Sequence, residues 1–95
     1  MEHNHYFYVV QCRDGSYYAG YTNRLEQRIR QHNEGRGAKY TRARRPVTLM
    51  YYEVFASKSD AMKAEYHFKQ LRRNEKEVYM KRGDCHVATK EFSAQ

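Results

Sequence analysis

The sequence predicts one small α/β (α+β) domain, and three observations carry that prediction. The chain has 95 residues, enough for a single core near the lower limit of what folds without disulfides or bound metal. Its opening stretch surrounds an Asp-Gly pair with aromatic and β-branched residues, the signature of a β-hairpin. Further on, two segments repeat their apolar residues at helical spacing, and a strand-like apolar run separates them.

Taken in order, Tyr6-Phe7-Tyr8-Val9-Val10-Gln11-Cys12 reads as the first strand and Tyr17 to Tyr21 as the second. Two turns can join them. A two-residue Asp14-Gly15 loop pairs Val10 with Ala19 and sends Tyr18 to the face opposite Tyr8. A three-residue Arg13-Asp14-Gly15 loop, with Gly15 at positive φ, pairs Val10 with Tyr18 and puts both tyrosines on one side. The residues allow both; we expect the second because only that register puts Tyr8 and Tyr18 together, and Gly20 beside them would leave room for a ligand or a packed helix. Asn23-Arg24-Leu25-Glu26 has the form of a capping box opening a helix from about Arg24 to Asn33, and Gly35 suits its end.

Arg36 to Pro46 lacks apolar periodicity and reads as a basic connecting loop. Val47 to Phe55 has few polar breaks, as a strand covered on both faces would, which puts it at the sheet centre. Ser57 to Asp60 opens a second helix whose Ala61, Ala64, Phe68 and Leu71 form a buried stripe, and Arg73 to Arg82 can add a third. The domain is expected over residues 1–82, with 83–95 as a disordered tail.

Composition narrows the function. Hydrophobic residues make up 40% of the chain, so it is not compositionally disordered. Its ten tyrosines bring apolar area together with hydroxyls that need partners. A net charge of +7 attracts an anionic partner before any specific contact forms, and nucleic acid leads that class. Cys12 and Cys85 have no CxxC spacing, so neither a zinc site nor a disulfide framework is indicated and a reducing cytoplasm fits. No apolar run approaches the ~20 residues of a membrane span, and the N-terminus lacks a signal peptide's pattern. We therefore expect a soluble monomer without membrane contact.

The departures from pattern point to a site. On the first helix Leu25, Arg28, Ile29 and His32 share one face, yet two of the four are polar where core residues belong. Glu65 stands at the margin of the second helix's apolar stripe, and a half-buried carboxylate needs a cation. Either Arg28 supplies it as a structural ion pair or a divalent metal does.

In order, these residues resemble the GIY-YIG superfamily of nucleases, most closely its small stand-alone bacterial members, and also the catalytic domain of endonucleases that cut branched DNA. Tyr6-Phe7-Tyr8 and Tyr18-Ala19-Gly20 stand where the two name-giving motifs would be. Arg28 and His32 follow on the helix, then Lys39-Tyr40-Thr41 and Arg44-Arg45-Pro46, and later Glu65, so that the likeness runs from about Tyr6 to Lys76. Tyr6-Phe7 replaces Gly-Ile, Ala19 replaces Ile, and no residue matches the asparagine that many family nucleases carry well after the glutamate.

The resemblance implies a three-stranded antiparallel sheet flanked by helices, with Tyr8, Tyr18, Arg28, His32 and Glu65 converging on one shallow catalytic site. It implies a metal-dependent endonuclease acting on DNA, branched or single-stranded. Glu65 would hold Mg²⁺ or Mn²⁺, Arg28 would clamp the phosphate, Tyr8 or Tyr18 would be the base, and His32 would orient it. The basic loop, through Arg36, Lys39, Arg42, Arg44 and Arg45, is expected to contact phosphates. Two other readings stay open: a nucleic-acid-binding module on the same fold that does not cut, and an adaptor whose tyrosine-rich surface binds another protein.

Overall fold

The computed structural model describes residues 4–83. Strands β1 (His5–Gln11), β2 (Tyr17–Thr22) and β3 (Thr48–Phe55) form an antiparallel sheet in the order β2-β1-β3. Helix α1 (Leu25–Asn33) and the short α2 (Lys39–Arg42) lie between β2 and β3, and α3 (Lys58–Lys69) and α4 (Arg73–Gly83) follow them.

β1, not β3, is the central strand. Phe7, Tyr8, Val9 and Val10 are all buried, which requires cover on both faces. The run in β3 is apolar in sequence, but Thr48 is exposed and Met50 is 44% exposed, as an edge strand allows. The expectation that Val47–Phe55 sits at the sheet centre is therefore corrected.

The hairpin adopts the three-residue turn. Cys12 N–H donates to Ser16 O at 2.8 Å, Gly15 N–H donates to Cys12 O at 2.9 Å, and Gly15 has a φ of +89°. Val10 pairs with Tyr18 and Tyr8 with Gly20, so Tyr8 and Tyr18 share a face.

The two faces carry separate cores. On one, Tyr8, Val10, Cys12 and Val47 pack with Leu25 and Ile29 of α1. On the other, Phe7, Val9, Ala19 and Tyr51 pack with Phe68 of α3 and with Tyr79 and Met80 of α4.

Helix ends bring two further corrections and two agreements. The Asn23–Glu26 capping box does not form: Arg24 is the N-cap residue without a side-chain cap, and Thr22 Oγ1 accepts its N–H at 3.1 Å. The strand runs into the helix so directly that the Thr22 hydroxyl is the group within reach. The segment 36–46 is not wholly loop, because it winds through α2. Gly35, at φ +85°, follows α1 as expected, and Ser57 caps α3 by accepting the Asp60 N–H at 3.1 Å. Gly83 closes α4, and the rest of the expected tail, with Cys85, lies outside the described residues. Cys12 is a buried free thiol, and no described helix is long and apolar enough to cross a membrane.

Candidate active site

On the α1 face of the sheet the core turns polar. The Tyr8 hydroxyl and His32 Nε2 are 2.8 Å apart, and His32 Nδ1 and Thr41 Oγ1 are also 2.8 Å apart. Thr41 Oγ1 in turn donates to the Ala38 carbonyl at 3.0 Å. A carbonyl can only accept, so the direction of the whole chain is set from that end. Thr41 gives its one proton to Ala38, accepts from His32 Nδ1–H, and leaves the Nε2 lone pair facing Tyr8. Tyr8 therefore donates to His32.

Burial sets the electrostatics of this pair. His32 is fully buried, and desolvation, with the nearby Arg28 charge adding to it, lowers its pKa to about 4. It is a neutral imidazole at physiological pH. Burial also raises the Tyr8 phenol to about 12, against the pull of the nearby Arg28 guanidinium. Tyr8 is thus a protonated phenol whose proton already points at an acceptor.

Two glycines make the close packing possible. A Cβ on Gly20 would stand 2.6 Å from the Tyr8 hydroxyl, and one on Gly37 would stand 2.3 Å from His32 Nδ1. Gly20 leaves the space that the Tyr8 phenol occupies beside β2, and Gly37 lets the segment before α2 close over His32. Tyr18 meets the His32 ring edge-on at 5.5 Å and stacks on Tyr40 at 6.0 Å. Asn33 fastens the end of α1 to the start of β3, donating to Val47 O at 3.1 Å and accepting Val47 N–H at 2.7 Å.

Arg28 donates to Gln31 Oε1 at 3.2 Å as well as approaching Tyr8. Glu65 reaches the same neighbourhood from α3, and its charge acts on the Tyr8 hydroxyl. Its side chain is 17% exposed and pairs with Lys69 at 2.8 Å, one helical turn on. The cation beside Glu65 is therefore Lys69, and the alternative of a structural Arg28–Glu65 pair is not what forms.

Tyr8, Tyr18, Arg28, His32 and Glu65 are thus gathered at one site, with Thr41 as a sixth member. Thr41 sits in a basic stretch without periodicity, and its signal in sequence was only its place in Lys39-Tyr40-Thr41. Among the loop cations Arg36, Lys39, Arg42 and Arg45 are exposed and Arg44 is half-buried. Arg44 pairs with Asp14 at 3.1 Å and covers the Tyr40 ring at 3.9 Å, Arg45 donates to Arg42 O at 2.9 Å, and Arg36 pairs with Glu34.

Among the described residues no group of three or more His, Cys, Asp or Glu side chains could ligate a metal. Glu65 is the carboxylate at the site. A hard cation such as Mg²⁺ is commonly held by one or two carboxylates, keeping its waters and taking phosphate oxygens, so a lone carboxylate, here shared with Lys69, is chemically compatible with one.

Comparison with known proteins adds three findings. The model of the GIY-YIG catalytic domain matches residues 4–78. A UPF0213 protein of Bacillus cereus (strain ATCC 10987 / NRS 248) is 62% identical over 96 residues, spanning all of both chains. Two solution NMR structures share the fold: the protein EF2693 from E. faecalis, with TM-score 0.59 and 53% identity over 85% of this chain and 88% of that one, and the UPF0213 protein BH0048 from Bacillus halodurans, with TM-score 0.53 and 42% identity over 97% and 99%.

Proposed function

The chain belongs to the GIY-YIG family, and from that premise we propose that it is a metal-dependent endonuclease hydrolysing phosphodiester bonds in DNA at the Tyr8–His32 site. The observation that carries this reading is the directed chain from Tyr8 through His32 and Thr41 to Ala38 O, with Arg28 against the phenol. A buried tyrosine kept only for packing needs one hydrogen bond; this one has an acceptor for its proton and a cation close enough to act on its oxygen.

Tyr8 is the base in this mechanism. With Arg28 clamping the phosphate, the Tyr8 oxygen, whose proton is directed at His32, offers its lone pairs to a water. The water's proton passes to the Tyr8 oxygen as the phenol's own proton passes to His32 Nε2. The water oxygen attacks phosphorus, and the bond to the leaving oxygen breaks, that oxygen leaving with the bonding pair and taking a proton from solvent, to which His32 later returns its own. Thr41 keeps His32 in the tautomer that can accept, which makes it a positioning residue. Arg28 neutralises charge developing on the phosphate, a role suited to a side chain protonated at any accessible pH. Glu65 would hold the divalent ion, Mg²⁺ or Mn²⁺, whose contribution when bound is positive charge against the phosphate and the leaving oxygen. Tyr18 walls the site, and Arg36, Lys39, Arg42, Arg44 and Arg45 add phosphate contacts around it.

The test is a panel of flaps, junctions, single strands and duplexes incubated with Mg²⁺ or with chelator. Cleavage that needs the metal and falls ~10²-fold or more in Glu65→Gln supports the reading. Binding without cleavage across the panel would make the chain a nucleic-acid-binding module instead.

A further inference from the structure

One groove leads away from this site. Arg24, Gln27, Arg28 and Gln31 stand at i, i+3, i+4 and i+7 and line one wall of it along α1. Tyr21, from β2, and Lys58, at the start of α3, line the other. Three cations from two helices converge there, and no carboxylate is among the lining residues. Arg24 and Lys58 are exposed and make no ion pair among the described residues; Lys58 lies over the Tyr21 ring at 5.6 Å. The basic segment 36–45 is mixed: Arg36 and Arg44 are paired with acids and Arg45 is bonded to backbone, while Lys39 and Arg42 are exposed without an ion pair among the described residues.

Like charges gathered without counter-charges raise the potential of a groove and favour an anionic occupant. Arg28 belongs both to the groove and to the site, and Arg24 stands one turn, about 6 Å, along the same helix. A single bound strand can therefore meet Arg28 with one phosphate and Arg24 with the next. Amides of Gln27 and Gln31 between the cations suit phosphate and sugar oxygens.

We propose that this groove seats the phosphate adjoining the one being cut, with Arg24 and Lys58 as its binding residues. The proposal rests on the nucleic-acid reading above and adds the path of the strand. That path leaves the site beside the start of α1, not over segment 36–45 alone.

The experiment measures affinity of the full chain for a fluorescent DNA oligonucleotide in chelator, as a function of salt. The double variant Arg24→Gln/Lys58→Gln is compared with Lys63→Gln/Lys81→Gln, two exposed lysines outside the groove that remove the same net charge. Loss of two phosphate contacts should flatten the slope of log K against log salt by about 1.5 units, with the control pair near the parent slope. Arg24→Lys/Lys58→Arg should restore the slope. Equal effects of the two double variants would reduce the groove to a share of the general field and overturn the proposal. An unchanged slope in the groove variant, with the parent binding well, would overturn it while leaving the nuclease reading intact. A parent chain that binds no oligonucleotide would remove both.

Discussion

The two faces of the sheet bury similar side chains in different ways. The face under α3 and α4 is closed by rings: Phe7, Phe68 and Tyr79 meet at centroid distances of 5.3 to 6.4 Å, and the Tyr51 and Tyr79 hydroxyls both end on Glu53. Burial and the neighbouring Glu53 charge hold both of those phenols well above the ordinary range, so they are fixed as proton donors. The face under α1 buries Tyr8 equally well, but its hydroxyl meets a neutral imidazole, an arginine and a glycine backbone. A carboxylate partner ends a proton's path. In the proposed mechanism an imidazole with its tautomer set by Thr41 continues it, and that contrast separates a packing face from the proposed chemical one.

The comparison breaks most visibly where packing dominates. Phe68 is 1% exposed, and Phe68→Ala should cost about 3–5 kcal/mol in chemical denaturation. Molecules that remain folded should cut at close to the parent rate, because nothing in the Tyr8–His32 chain touches that ring. A large loss of cutting per folded molecule would mean that the two faces are coupled.

Gly20→Ala tests the other face. The added Cβ would displace the Tyr8 phenol, since that hydroxyl is the nearest atom at 2.6 Å. Overpacking should cost about 1–3 kcal/mol, and misplacement of the hydroxyl should slow cleavage ~10²-fold. Parent-like cleavage would show that Tyr8 need not stand where it does.

The buried imidazole also makes stability depend on pH in a stated direction. His32 has its folded pKa at about 4, below the ordinary 6.5, so between those values the unfolded chain binds a proton that the folded chain does not. Stability is unaffected by this group above pH 6.5 and falls as pH drops toward 4. Between pH 7 and 5 the loss should be about 2 kcal/mol. Melting curves of His32→Gln should lose this component, and an unaltered profile would remove the buried neutral imidazole from the account.

Local rules carried much of this structure. The turn itself was legible from Asp14-Gly15, but those residues allow two registers, and only the demand that Tyr8 and Tyr18 share a face selected the three-residue one. The Arg28–His32 mismatch on an apolar helix face marks the candidate site. Sheet order was not legible, since an apolar run has the same composition at a sheet's centre and at its edge. Pairing between β1 and β3 spans some forty residues of chain, and no local rule reaches that far. Lys69 stood in plain view, four residues after Glu65, in the spacing that forms helical ion pairs. Thr41 could not be found this way, because its role depends on α2 folding back over His32.

The most direct test removes one oxygen from each face. Tyr8 and Tyr51 are 1% and 2% exposed, and each loses only a hydroxyl on replacement by Phe. Single-turnover cleavage in Mg²⁺ should fall ~10²-fold to 10⁴-fold in Tyr8→Phe and stay within a few-fold of the parent in Tyr51→Phe. Tyr8→Phe that folds and cuts at the parent rate would contradict the assignment of Tyr8 as the base.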